Sequence, residues 1–120
     1  MWHYDQSSGE LSHDGKLVAR GYAGAGVGKN NPAKEGVVRV GPLPAGKWRI
    51  GAPVHRPKTI GQFCLPLTPV GHSALGRSAF FMHGDSAKNP GKASQGCIVM
   101  PRWVREQVWA SGDRELTVVH

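Results

Sequence analysis

Two side chains in this sequence, an imidazole at His83 and a thiol at Cys97, have types and spacing suited to covalent chemistry. Each sits beside an apolar run: Phe80-Phe81-Met82 leads into His83, and Ile98-Val99-Met100 follows Cys97. Runs of this length read as neighbouring strands that hold the two groups together. A thiol attacks as its thiolate, and an adjacent imidazole is a common base for generating one. Ser94-Gln95-Gly96 precedes the cysteine. Gly96 permits a tight turn, so the amides around Gly96 and Cys97 are expected to face a developing oxyanion. The chemistry this predicts is acyl transfer through a cysteine.

The base needs a partner to fix its ring. Asp85, Ser94 and a backbone carbonyl are each candidates. Arg77, six residues before His83, falls on the same strand face by period-two alternation, ready to pair with Asp85 or with a substrate carboxylate. Tyr22, Lys29 and Asn30 lie in or beside a glycine-rich loop and are candidates for lining the cleft, as is Gln95 beside the nucleophile.

The elements that would position these groups are short. Seventeen glycines and nine prolines divide the 120 residues into many segments, which favours a β-rich single domain spanning 1–120. Strands are expected at Trp2–Gln6 and Glu10–Ser12, then at Lys16–Tyr22 across an Asp14-Gly15 hairpin turn. Further strands are expected at Val37–Val40, Lys47–Ile50, Gln62–Leu67, Arg77–His83 and Arg114–Val119. Residues 23–36 read as a flexible binding loop. Their Gly24-x-Gly26-x-Gly28-Lys29 lacks the spacing of a phosphate loop. Pro53 to Lys58 is basic and irregular. One helix begins near Pro101 and stops at Gly112, with Trp103, Val104 and Val108 as its apolar face. Trp48, Trp103 and Trp109 read as core or helix-packing residues.

The net charge is +7, which favours anionic partners, but no run of five like charges marks a nucleic-acid groove. No apolar run approaches the roughly 20 residues of a membrane span. The start of the sequence lacks the regions of a Sec signal peptide. Of the two cysteines, Cys64 sits in the apolar run Phe63-Cys64-Leu65 and reads as a core thiol; both are expected to be free.

His83 with Ser94-Gln95-Gly96-Cys97 resembles the signature of YkuD-like L,D-transpeptidases, a His followed after a loop by Ser/Thr-His-Gly-Cys. Gly21-Tyr-Ala-Gly24, Asn30-Asn-Pro32, Gly41-Pro-Leu-Pro-Ala-Gly46, Gly76-Arg-Ser-x-Phe80 and His83-Gly-Asp85 are similar, in order, to divergent L,D-transpeptidase effectors of type VI secretion. The resemblance implies a β-sandwich or barrel with one substantial helix after the catalytic cysteine. It further implies a Cys97–His83 dyad, supported by Gly96, Ser94 and Asp85, that acts on peptidoglycan tetrapeptide stems without metal or organic cofactor. The outcomes it allows are L,D-carboxypeptidase cleavage, D-amino-acid exchange and 3–3 cross-linking. It implies a monomer made in the cytoplasm and delivered to the periplasm of target bacteria, with a cognate immunity protein in the producer. Gln95 replaces the usual His and Val99 stands where an Arg or Asn often follows, so substrate contacts made by those side chains do not carry over. Two rival functions are a metal-dependent hydrolase using His72, His83, Asp85 and Cys97, and a non-catalytic basic module that binds cell wall or nucleic acid.

Overall fold

The computed structural model describes residues 1–56 and 61–120. Ten strands are β1 (Trp2–Asp5), β2 (Glu10–His13), β3 (Lys16–Arg20), β4 (Tyr22–Ala23), β5 (Gly46–Ile50), β6 (Val54–Arg56), β7 (Gly61–Val70), β8 (Phe80–His83), β9 (Ile98–Val99) and β10 (Glu115–Val119). Among the described residues the single α-helix is α1 (Arg102–Ala110). The strands run in the order β3-β2-β1-β10-β5-β7-β8-β9-β4, with β6 added on β7. The edge strands β3 and β4 are joined by Gly21 alone, so the chain steps from one edge of the sheet to the other and the sheet is a nearly closed, barrel-like layer. This seam depends on glycine: a Cβ at Gly21 would lie 2.0 Å from the Val99 carbonyl oxygen.

Period-two alternation aims one face of each strand inward. Trp2 and Tyr4 on β1, Trp48 and Ile50 on β5, and Leu116 and Val118 on β10 are buried, as are Leu65, Met82 and Ile98. Asp14 and Gly15 take φ of +49° and +85°, the doubly left-handed pair that suits a two-residue hairpin between β2 and β3. The helix lays Val104 and Val108 on this core. Trp103, expected on that face, is exposed, and the buried place beside Val104 is taken by Arg105. Arg105 donates from Nε to the Met100 carbonyl and from Nη1 to the carbonyls of Gln62 and Phe63, which makes its burial tolerable. Trp48 joins the core, and Trp109 packs partly against it under the Arg114 guanidinium.

Three elements depart from expectation. Val37–Val40 form turns rather than a strand, because Arg39 adopts φ +65° and Val40 and Gly41 both donate back to the Val37 carbonyl. Residues 23–36 fold as two 3-10 turns, Gly26–Gly28 and Pro32–Lys34, tied to the next turn by Ala25 N–H to Val40 O. The segment expected as a flexible binding loop is therefore a packed structure. The strand before His83 begins at Phe80, because a turn with left-handed Ala74, Leu75 and Ala79 occupies the preceding residues. Of the basic stretch Pro53 to Lys58, residues 54–56 form β6, while Pro57 and Lys58 lie outside the described residues.

Candidate active site

β8 and β9 are parallel, with Met82 opposite Ile98 and His83 opposite Val99. A parallel pair needs a crossover of a dozen or more residues, and residues 84–97 supply it. The fourteen-residue spacing of His83 and Cys97 is therefore the length of one crossover. Both residues line a cavity of about 740 Å³ together with Val38, Arg39, Phe81 and Lys92.

Cys97 is partly exposed, and its Sγ accepts the Phe81 N–H at 3.3 Å. Its own weak S–H contact runs 3.7 Å to the Ala79 carbonyl. His83 is 2 % exposed, and its Nδ1 lies 2.8 Å from the Gly84 carbonyl. A carbonyl only accepts, so Nδ1 carries the proton and Nε2 is the basic nitrogen of the neutral ring. Burial holds His83 below the usual imidazole range, opposed by the Gly84 carbonyl and reinforced by the positive field of Arg105. Burial pushes the Cys97 thiol up, although the Phe81 amide and the nearby Arg77 guanidinium both favour the thiolate. Both shifts favour a resting pair of neutral thiol and neutral imidazole over a preformed ion pair.

Of the three candidates for orienting His83, the backbone carbonyl holds the position. Asp85 instead accepts from the Tyr22 hydroxyl at 2.6 Å and from the amides of Ser86 and Gly91. Tyr22 in turn accepts the Ala93 N–H, and Lys29 lies over its ring while bonding the Gly91 carbonyl. These residues brace the crossover rather than lining the cavity. Asn30 also lies outside the cavity lining and braces β4, accepting the Ala23 N–H on its side chain.

Ser94 is buried, and its hydroxyl makes three bonds: it accepts from Gly24 and Gly96 N–H and donates to the Cys97 carbonyl at 2.6 Å. The Gly96 amide is thereby committed and does not face an oxyanion as expected. Among the described residues the Cys97 N–H makes no turn or loop bond to a backbone carbonyl, and it lies towards its own Sγ. Gly96 has φ +142°, and a Cβ there would stand 2.5 Å from Arg77 Nη2.

Arg77 precedes β8, so the period-two argument that aligned it with His83 fails. Its fork is filled by four carbonyls: Nη1 by Glu35 and Pro42, Nη2 by Gly41 and Gln95. It is buried, packs over the Phe80 ring, and makes no pair with Asp85. Gln95 is exposed and lines the cavity. The residues that the sequence reading missed are Arg39 and Lys92, both exposed at the cavity. Arg39 lay hidden in a Val-x-Arg-Val stretch that reads as a strand, and Lys92 in a loop with no pattern.

The ligand set of a metal hydrolase is not assembled. The His72 ring bonds the Lys47 carbonyl and the Ala74 N–H, while Asp85 is held by Tyr22. Among the described residues, the one group of three possible ligands is His13, Asp14 and Asp113.

The family model of the YkuD L,D-transpeptidase catalytic domain matches residues 5–118. The chain belongs to that family. The match covers every strand but the first residues of β1 and the end of β10, and it includes both halves of the cavity. No curated protein matches significantly, and no solved structure does so either. Membership points to an L,D-transpeptidase-type, peptidoglycan-modifying activity. Among the described residues, no helix is long and apolar enough to cross a membrane.

Proposed function

We propose that this domain is a cysteine acyltransferase that opens the bond between the third residue and the terminal D-Ala of peptidoglycan tetrapeptide stems. The observation that carries this reading is the placement of Cys97 and His83 in one cavity on adjacent parallel strands of a YkuD-family chain. His83 Nε2 takes the Cys97 proton as Sγ bonds to the scissile carbonyl carbon. The carbonyl π pair moves onto oxygen, where the Cys97 N–H is the available donor; one such donor is typically worth about 3 kcal/mol. Collapse breaks the C–N bond, and the imidazolium returns the proton to the leaving D-Ala amine. A thioester remains on Cys97. Water, activated by His83, then yields the tripeptide stem; a D-amino acid or a second stem amine in place of water yields exchange or a cross-link.

From the resemblance of the motifs between Gly21 and Asp85 to those of type VI secretion effectors we further propose a delivered antibacterial toxin acting in the target periplasm, guarded in the producer by an immunity protein. Incubation with purified tetrapeptide muropeptides tests the reaction. The expected product is the stem lacking one alanine, and unchanged stems under all acceptor conditions would contradict it.

A further inference from the structure

Every ionisable side chain lining the cavity, apart from His83 and Cys97, is cationic: Arg39, Arg77 and Lys92. Arg77 is spent on four carbonyls, so it has no donor pair left for a ligand. Lys29, beside the crossover, is spent on Gly91 and Tyr22. Arg39 and Lys92 differ. Both side chains are exposed at the cavity, and neither makes an ion pair among the described residues.

Among the described residues, neither nearby acid forms an ion pair with Arg39 or Lys92. Glu35 is held by Gln6, the Ala45 amide and His120, and Asp85 by Tyr22 and the crossover amides. The backbone under Arg39 adds a second argument. At φ +65° a glycine or asparagine sits with less strain than an arginine. The turn is forced into this shape by the Val37 carbonyl, which closes it from within, and by Arg77, which pins Gly41 and Pro42 from below. Among the described residues no hydrogen bond or ion pair of the turn uses the Arg39 side chain, and what it contributes is a guanidinium lining the cavity.

We propose that Arg39 and Lys92 form a carboxylate-reading rim that selects acyl donors bearing a free carboxylate on the residue to be expelled. This rests on the proposed acyl transfer, in which the leaving residue is the C-terminal one. Its carboxylate lies one residue beyond the carbonyl that Cys97 attacks, within the same cavity. Val99 is buried and neutral, so the nucleophile motif itself brings no charge, and the rim adds exposed donors to the field of the buried Arg77.

The direct test compares alkylation of Cys97 by iodoacetate and iodoacetamide, followed by mass spectrometry of the Cys97 peptide. The two reagents share a leaving group and differ in charge, so their rate ratio, referenced to free cysteine, reads the local potential. The wild-type ratio is expected to exceed that of free cysteine several-fold and to fall as salt rises. Arg39→Gly with Lys92→Gln should lower it several-fold, leaving the part set by Arg77, with the iodoacetamide rate much less affected. Arg39→Lys should retain most of it. Arg39→Gln and Lys92→Gln, singly, should each give part of the loss. Equal ratios in wild type and the double variant would overturn the rim. With tetrapeptide stems, the double variant should raise KM and largely spare kcat, whereas stems amidated at the C-terminus should show no such KM change. If no stem is processed at all, the proposed reaction fails, while the alkylation ratio still decides the rim.

Discussion

The Phe81 backbone N–H points at Cys97 Sγ from 3.3 Å, docking the thiol against the strand that also carries His83. Two residues on from Phe81, His83 faces the same cavity. Strand register therefore brings the two residues to one cavity, and the Ser94 hydroxyl anchors the turn that carries Cys97. The amide also places a fixed donor beside the sulphur, which offsets part of the burial that disfavours the thiolate.

Removing either member of the dyad should abolish turnover without unfolding the domain. Cys97→Ala is expected to release no D-Ala, with a thermal midpoint near that of the wild type because the side chain borders a cavity. His83→Gln should lower kcat by about 10²–10⁴, the usual contribution of a general base. Measurable wild-type turnover in Cys97→Ala would place the chemistry elsewhere.

Ser94 ties three backbone groups of the nucleophile turn together. Ser94→Ala leaves the buried amides of Gly24 and Gly96 without their acceptor, at a cost of about 1–3 kcal/mol for each group left unsatisfied. Urea unfolding should report this loss of stability, and kcat should fall with it because the Cys97 carbonyl loses its anchor. An unchanged denaturation midpoint would show that water or a neighbour replaces the hydroxyl.

The pH dependence follows from the direction of the His83 shift. Burial depresses its folded pKa below the ordinary imidazole value of about 6.5. Turnover requires the neutral ring, so kcat/KM should hold through pH 6.5 and fall only at lower pH. The stability effect has the same sense. The unfolded chain protonates His83 first, so this residue's contribution is complete above about pH 6.5 and is lost as pH falls towards the folded pKa. The NMR titration of the His83 ring checks both, and an acid limb above pH 6.5 would contradict the assignment.

Gly96 and Arg77 form a close-packed pair. Gly96→Ala adds a Cβ at 2.5 Å from Arg77 Nη2 and imposes φ +142° on an L-residue. It should destabilise the domain and displace the Gln95 and Gly41 carbonyls from the arginine. Arg77→Lys keeps the charge and loses the fork, so it should lower the thermal midpoint through four under-bonded carbonyls. A midpoint unchanged in both variants would remove Arg77 from its anchoring role.

How far the sequence could be read depended on the range of the interaction. That His83 and Cys97 meet in one cavity was legible because their motif is local and their spacing is one crossover long. The hairpin at Asp14-Gly15, the helix after Pro101 and most strands were legible from turn residues and alternation. The oxyanion donor was not, since the Gly96 amide is claimed by a serine hydroxyl whose orientation no spacing encodes. Arg77 was misplaced because left-handed Ala79 breaks the strand that alternation assumed. Tyr22 and Asp85 meet only through tertiary packing, which is why one read as cleft lining and the other as the histidine's partner. Arg39 was hidden for the opposite reason: its local sequence favours a strand, and contacts from Arg77 and Ala25 force a turn.

The central claim, acyl transfer through Cys97, is tested most directly by trapping the covalent intermediate. The protein is mixed briefly with tetrapeptide stems, quenched in acid and weighed intact. The account predicts a mass increase equal to the tripeptide-stem acyl group, mapped to Cys97, labile to hydroxylamine and absent from Cys97→Ala. Release of D-Ala with no adduct on Cys97, or with the adduct on another residue, would contradict it.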